Sequence, residues 1–167
     1  MKLFLVGLPG SGKSTLGKQL AKRLDLLFID LDDVIEAKAQ QPIREIFAQQ
    51  GEDYFREVER EALLNTISKN SDFVMATGGG APCFFDNMLQ MNQAGTTIFV
   101  DTPVATIAER MKKEGVAVRP LLHELDTNNF AEAFHQKFVH RLPHYRQAKI
   151  TVTSEEGLDA ILAQLRS

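Results

Sequence analysis

The residues Gly7-Leu8-Pro9-Gly10-Ser11-Gly12-Lys13-Ser14, with Thr15 directly after them, fit the spacing G-x-x-x-x-G-K-[ST] of a phosphate-cradling loop. Glycines at 7, 10 and 12 let the backbone turn its N–H groups inward around a polyphosphate. Lys13 is then placed to reach β- and γ-phosphates, and the Ser14 hydroxyl to ligate Mg²⁺. Gly10, Ser11, Gly12, Lys13, Ser14 and Thr15 are therefore the candidate nucleotide contacts.

Further chemistry-bearing residues follow along the chain. Asp30-Leu31-Asp32-Asp33 lies just past the apolar run Leu26-Leu27-Phe28-Ile29. On an extended segment Asp30 and Asp32 would point the same way, able to hold a metal's water shell, orient a hydroxyl or accept its proton. Asp32 or Asp33 could equally cap a helix. Glu52, Arg56 and Arg60 fall at i, i+4 spacing with Glu59 beside them, which suits either an exposed ion-pair ladder or an anion contact at Arg56. Spacing leaves that choice open. Gly78-Gly79-Gly80 ends an apolar run, as expected where backbone lies directly against a ligand or where a connection is merely flexible. His135, His140 and His144 lack a matching set of carboxylates or thiols and are read as surface residues. Cys83 is read as an inert small residue.

The elements that must position these groups alternate regularly. Leu3–Val6 predicts a buried strand, and Ser14 to about Leu24 a helix with apolar Leu16, Leu20, Ala21 and Leu24. Leu26–Ile29 predicts a second buried strand. Residues 34–70 read as helical, broken near Gln41-Pro42 and Gln50-Gly51. Strands over Asp72–Thr77, Thr96–Asp101 and Lys149–Thr153 follow, with helices over Phe84–Gln93, Val104–Lys113 and Phe130–Arg146, the last bent or ended by Pro143. Leu158, Ile161, Leu162 and Leu165 mark a final amphipathic helix. The segment from Gly115 to about Asn129 has no steady period, and in a phosphoryl-transfer enzyme it would be a lid with Arg119 as its phosphate contact. Five strands separated by helices predict a three-layer α/β/α domain on a parallel sheet, spanning 1–167 as one unit.

Composition narrows the function classes. The 167 residues carry a net charge of −3, with no basic run, so nucleic acid is not an expected partner. A single cysteine excludes an internal disulfide framework and suits a reducing cytoplasm. No stretch approaches the roughly 20 apolar residues of a membrane span. No heptad run or long apolar patch calls for a second subunit, and a monomer is expected. A guanine-recognition Asn/Thr-Lys-x-Asp and a strand ending in Asp-Glu are both missing, which leaves a small-molecule kinase rather than a GTPase or a motor ATPase.

Taken together the motifs resemble the shikimate kinases, within the P-loop, nucleoside-monophosphate-kinase-like group. The residues that carry the likeness are Gly7–Thr15, Phe28-Ile29-Asp30-Leu31-Asp32 with Ile35-Glu36, and Ile43-Arg44-Glu45-Ile46-Phe47. They continue with Gly51-Glu52-Asp53-Tyr54-Phe55-Arg56 and Glu59, Gly78-Gly79-Gly80-Ala81, Arg119-Pro120-Leu121-Leu122 and Arg141-Leu142-Pro143-His144-Tyr145-Arg146. The resemblance implies transfer of the ATP γ-phosphate to the 3-hydroxyl of shikimate, on the route to aromatic amino acids. By the same resemblance Asp32 holds the acceptor hydroxyls and takes the reacting proton, and Asp30 orients Mg²⁺ through water. Arg56 and Arg141 clamp the acceptor carboxylate, and Gly79 offers a backbone contact. Arg119 approaches the phosphates, and Arg110 flanks the adenine. It further implies a substrate-binding region over about 31–62 and a lid over about 113–129. Leu31 and Gln40 depart from the family pattern, which more often has Ser or Thr and Gly there. A gluconate kinase is the nearest alternative, and a non-catalytic nucleotide-binding module the alternative of another class.

Overall fold

The structure is a computed structural model that describes residues 1–114 and 129–167. Among them, β1 (Lys2–Val6), β2 (Leu27–Asp30), β3 (Phe73–Ala76), β4 (Thr96–Asp101) and β5 (Ile150–Thr153) form one sheet. Its order is β2-β3-β1-β4-β5, and every pairing is parallel. Parallel neighbours require crossovers, and the helices that make them cover both faces.

Alternation along the strands assigns the two cores. Leu3 and Leu5 of β1, Val74 of β3 and Ile98 of β4 pack with Leu16 and Leu20 of α1 (Lys13–Leu24) and with Ile161 of α8 (Gly157–Arg166). Phe4, Phe73, Met75 and Phe99 point to the other face. There they meet α2 (Leu31–Ala39), α3 (Ile43–Lys69), α4 (Asn87–Ala94), α5 (Val104–Glu114) and α6 (Phe130–Phe138). The predicted three-layer α/β/α architecture is thus the observed one.

Several local expectations are corrected. β2 is an edge strand rather than a buried one, and Leu27 is 56% exposed. Asp30 and Asp32 do not share an extended segment, because α2 begins at Leu31. The cap of that helix is Asp30, neither Asp32 nor Asp33; its carboxylate accepts from the Asp32 N–H at 3.0 Å. Gln40, where glycine is the family's habit, ends α2 in the left-handed region at φ 53°. α3 runs through the expected break with a kink at Gly51, φ 85°. The helix expected over Phe84–Gln93 starts only at Asn87, after a 3₁₀ turn over Ala81–Cys83. That expected over Phe130–Arg146 is divided into α6, a 3₁₀ turn over Val139–Arg141 and the short α7 (Leu142–Tyr145), with Pro143 in the first turn of α7, where its missing N–H costs nothing. Residues 115–128 of the expected lid, Arg119 included, lie outside the described residues.

Candidate active site

The carboxyl ends of the strands open into a cleft of about 1180 Å³, where an open α/β sheet places its ligands. Gly10, Ser11, Gly12, Lys13, Ser14 and Thr15 form one wall. Gly10 and Gly12 have φ of 79° and 96°, backbone that only glycine adopts cheaply, and α1 starts from Gly12 without a side-chain cap. The first-turn N–H groups of α1 are therefore directed at whatever anion fills the loop. Lys13 is 7% exposed, and its ammonium donates to the Gly7 and Leu8 carbonyls at 2.8 and 2.9 Å. Thr102 steadies the loop from beneath, its hydroxyl donating to the Ser11 carbonyl at 2.8 Å. Arg110, from α5, reaches the loop's rim and donates to the Gly10 carbonyl at 3.4 Å.

Asp30 joins this wall to the next. One carboxylate oxygen accepts from the Ser14 hydroxyl at 3.0 Å, while the other caps α2. A hydroxyl and a carboxylate side by side, with a phosphate loop adjoining, are the hard oxygen donors that suit Mg²⁺. The donor set fits that ion. Asp32 follows in the first turn of α2. Burial, then the neighbouring Asp30 charge, pushes its carboxyl up to about 6 against the pull of Lys13.

The opposite wall is made by the three glycines, and the close approach there explains them. A Cβ on Gly78 would sit 3.1 Å from an Asp32 oxygen, and one on Gly79 2.9 Å from Pro9 and 3.2 Å from the Arg141 guanidinium. On Gly80 it would sit 2.5 Å from both terminal nitrogens of Arg56. Two guanidinium groups thus press on adjacent residues. Arg56 is 4% exposed, donates to Glu59 at 2.9 Å and lies over the Phe84 ring at 4.2 Å. The ladder is therefore not a solvated one at Arg56, although its Glu52–Arg56 rung does form, at 3.3 Å. Arg60 turns away instead to Asp86. Arg141 is also buried and lies over the Phe138 ring at 4.6 Å.

Apart from Arg119, every candidate site residue lines this one cleft. Glu59 was visible in the sequence only as a neighbour of Arg56, yet it is 1% exposed. Burial drives its carboxyl upward, while Arg56 draws it down. Thr102, Phe84 and Tyr145 are likewise supports that no spacing rule exposes. The signal available for Glu59 was its i, i+3 relation to an arginine that must itself be buried. Of the three histidines, His135 and His140 are exposed and His144 half-buried. Burial pushes the Cys83 thiol up to about 11, which fits an unreactive side chain.

Known proteins resemble this chain over most of its length. The family model described as Shikimate kinase matches residues 9–166. A shikimate kinase of Parabacteroides distasonis is 41% identical over 157 residues, covering 94% of this chain and 90% of that one. The crystal structure of a shikimate kinase from Bacteroides thetaiotaomicron superposes with a TM-score of 0.88 at 32% identity, covering 100% and 99% of the two chains. That of Acinetobacter baumannii, solved in complex with shikimate, gives 0.84 at 34% identity over 99% and 89%. With Pro9–Thr15 of the phosphate loop, the buried arginines and the glycine wall inside the matched span, the chain belongs to the shikimate kinase family.

Proposed function

We propose that this cleft transfers the γ-phosphoryl group of ATP to the 3-hydroxyl of shikimate, with the acceptor held between α2, the glycine wall and Arg141. The observation that carries the reading is the pair of buried guanidinium groups lying against Gly79 and Gly80 beside the Asp32 carboxylate. Arg56 is paired by Glu59 at 2.9 Å and Glu52 at 3.3 Å, whereas Arg141 makes no ion pair among the described residues, so its positive charge is in hand for an acceptor carboxylate. Planar guanidinium forks suit that group. Gly79 supplies its backbone N–H from the same wall.

Asp32 is the base. A carboxyl raised to about 6 is ionised at neutral pH yet basic enough to take a hydroxyl proton as the phosphoryl group departs. Lys13 and the loop amides hold the nucleotide phosphates in line with that hydroxyl, and positioning with charge neutralisation accounts for most of the acceleration. Ser14, with Asp30 through water, would hold Mg²⁺, which when bound neutralises phosphate charge. Arg110 flanks the adenine, and Arg119 from the lid is the further cation near the phosphates. Closure of about 113–129 over the cleft excludes water and suppresses ATP hydrolysis.

The chain is read as one kinase domain, with about 31–62 as its acceptor region, acting as a monomer in the cytoplasm. Among the described residues no helix is long and apolar enough to cross a membrane. The deciding experiment is ADP release from Mg²⁺-ATP with shikimate, gluconate or no acceptor. Stimulation by shikimate alone is expected. Stimulation by gluconate would replace the acceptor, and stimulation by neither, with ATP still bound, would leave a nucleotide-binding module.

A further inference from the structure

Flexible backbone in the glycine wall has to be held by something other than its own side chains. Two of its carbonyls are held locally: the Ala81 N–H donates to Gly78 at 3.2 Å and the Cys83 N–H to Gly80 at 2.9 Å. The Gly79 carbonyl, between them, takes the hydroxyl of Tyr145 from 66 residues away. The Cys83 sulfur, 3.9 Å from that carbonyl, is a far weaker donor. Tyr145 is fully buried, and its ring packs on Phe99 with centroids 5.4 Å apart. Arg141 presses on the same residue, its guanidinium 3.2 Å from where a Cβ on Gly79 would lie.

We propose that the Tyr145 hydroxyl is the positioning group that holds the Gly79 backbone against which Arg141 rests and thereby sets affinity for the acceptor's carboxylate. The proposal rests on the acceptor site described above. The phenol O–H holds the Gly79 carbonyl, and the Arg141 guanidinium packs against that same residue, so the hydroxyl fixes the surface on which Arg141 rests. The Gly79 carbonyl shares its peptide plane with the Gly80 N–H, so holding the oxygen also fixes which way that amide faces. Burial keeps the phenol protonated and therefore a donor. Phenylalanine would fill the same space against Phe99, so core packing explains the ring and leaves the hydroxyl to this second task.

The test is Tyr145→Phe. The Michaelis constant for shikimate should rise about tenfold, the scale of one lost hydrogen bond next to a charge, while that for ATP stays within about twofold. Shikimate methyl ester, which lacks the carboxylate charge, provides the readout that a loosened core would not give. The parent should prefer shikimate to the ester, and the variant should lose about tenfold of that preference. Equal weakening of both acceptors, or an unchanged preference, overturns the proposal. In an Arg141→Ala background Tyr145→Phe should add nothing, and a full additional loss overturns it as well. If the parent itself shows no shikimate-stimulated turnover, the acceptor reading falls and this proposal with it. Turnover in the parent with unaltered preference in the variant defeats this proposal alone. Should the variant not fold, the parent labelled with 3-fluorotyrosine gives two signals, from Tyr54 and Tyr145. The Tyr145 signal should move with shikimate and not with Mg²⁺-ADP, and a signal indifferent to shikimate refutes the coupling.

Discussion

Replacing Gly80 with alanine would place a methyl group where the Arg56 guanidinium now lies. The added carbon would be 2.5 Å from both terminal nitrogens and 2.7 Å from Cζ. Restoring ordinary contact requires a displacement of about 1 Å or more. Arg56 has little room to give it, since Glu59 binds one nitrogen at 2.9 Å and the Phe84 ring lies 4.2 Å from Cζ. The backbone itself accepts alanine, for Gly80 has φ −87° and ψ −21°. The damage should therefore fall on the guanidinium rather than on folding. A hydrogen bond to a charged group is worth about 1.5–3 kcal/mol, and a misplacement of this size predicts a rise of roughly 10- to 100-fold in the Michaelis constant for shikimate. That for ATP should move by less than about twofold. The assay is ADP release at saturating ATP with shikimate varied, alongside thermal unfolding to confirm that the fold is kept. In the Gly80→Ala background, Arg56→Ala should cost little more. An unchanged constant for shikimate would refute the argument that Arg56 binds the acceptor from this position.

The raised carboxyl of Asp32 predicts that kcat/KM for shikimate falls as pH drops through about 6; a limb set instead near pH 4 would deny Asp32 its role. The same shift has a stability sign. Folding favours the protonated form, so the stabilisation is complete below pH 3.8 and is lost as pH rises through about 6. Asp32→Asn should accordingly abolish most turnover yet melt above the parent at pH 8, and identical melting there would contradict the burial argument. Asp30→Asn should keep α2 capped, because asparagine caps as well as aspartate, while raising the Mg²⁺ needed for half activity roughly tenfold; an unaltered Mg²⁺ titration would remove Asp30 from the metal's surroundings. Gln40→Gly should stabilise the fold by about 0.5–1 kcal/mol through relief of the left-handed residue and so raise the urea midpoint; a lower midpoint would count against it.

How much of this was legible in the sequence varies with the physical range of each signal. The strand, phosphate loop and first helix follow from local rules, and they stand where those rules put them. Leu26–Ile29 looked like any buried apolar run, since composition carries no record of whether a strand has one neighbour or two; the sheet order made it an edge. Arg56 and Glu59 defeated the reading by spacing because helical periodicity gives the angle between side chains and not which way the helix turns. The turn was set by Phe55, Ala62 and Leu63, which face the core with them. Pro143 was read correctly as an interruption, but the 3₁₀ turn that seats Arg141 depends on packing against the glycine wall.

The placement of Asp32 against the phosphate loop passes through a single edge strand. β2 is four residues long and pairs only with β3, in a register that sets Asp30 beside Ala76. Directly beyond Ala76 the chain enters Thr77 and the glycine wall, and the Thr77 N–H is tied to Leu5 of β1 at 3.1 Å. Asp30 then holds Ser14 with one oxygen and the start of α2 with the other, so the turn that carries Asp32 is hung from the phosphate-loop wall. A slip of one residue in the β2–β3 pairing would send Asp30 to the other face of the sheet and bring Ile29 to the cleft. It would also turn Phe28 away from the α1 core and Ile29 away from the α3 core that each now meets. The apolar pair therefore guards the register, and the register guards the chemistry. An exposed Leu27 is consistent with this division, for only the two residues after it are needed to fix where Asp30 points.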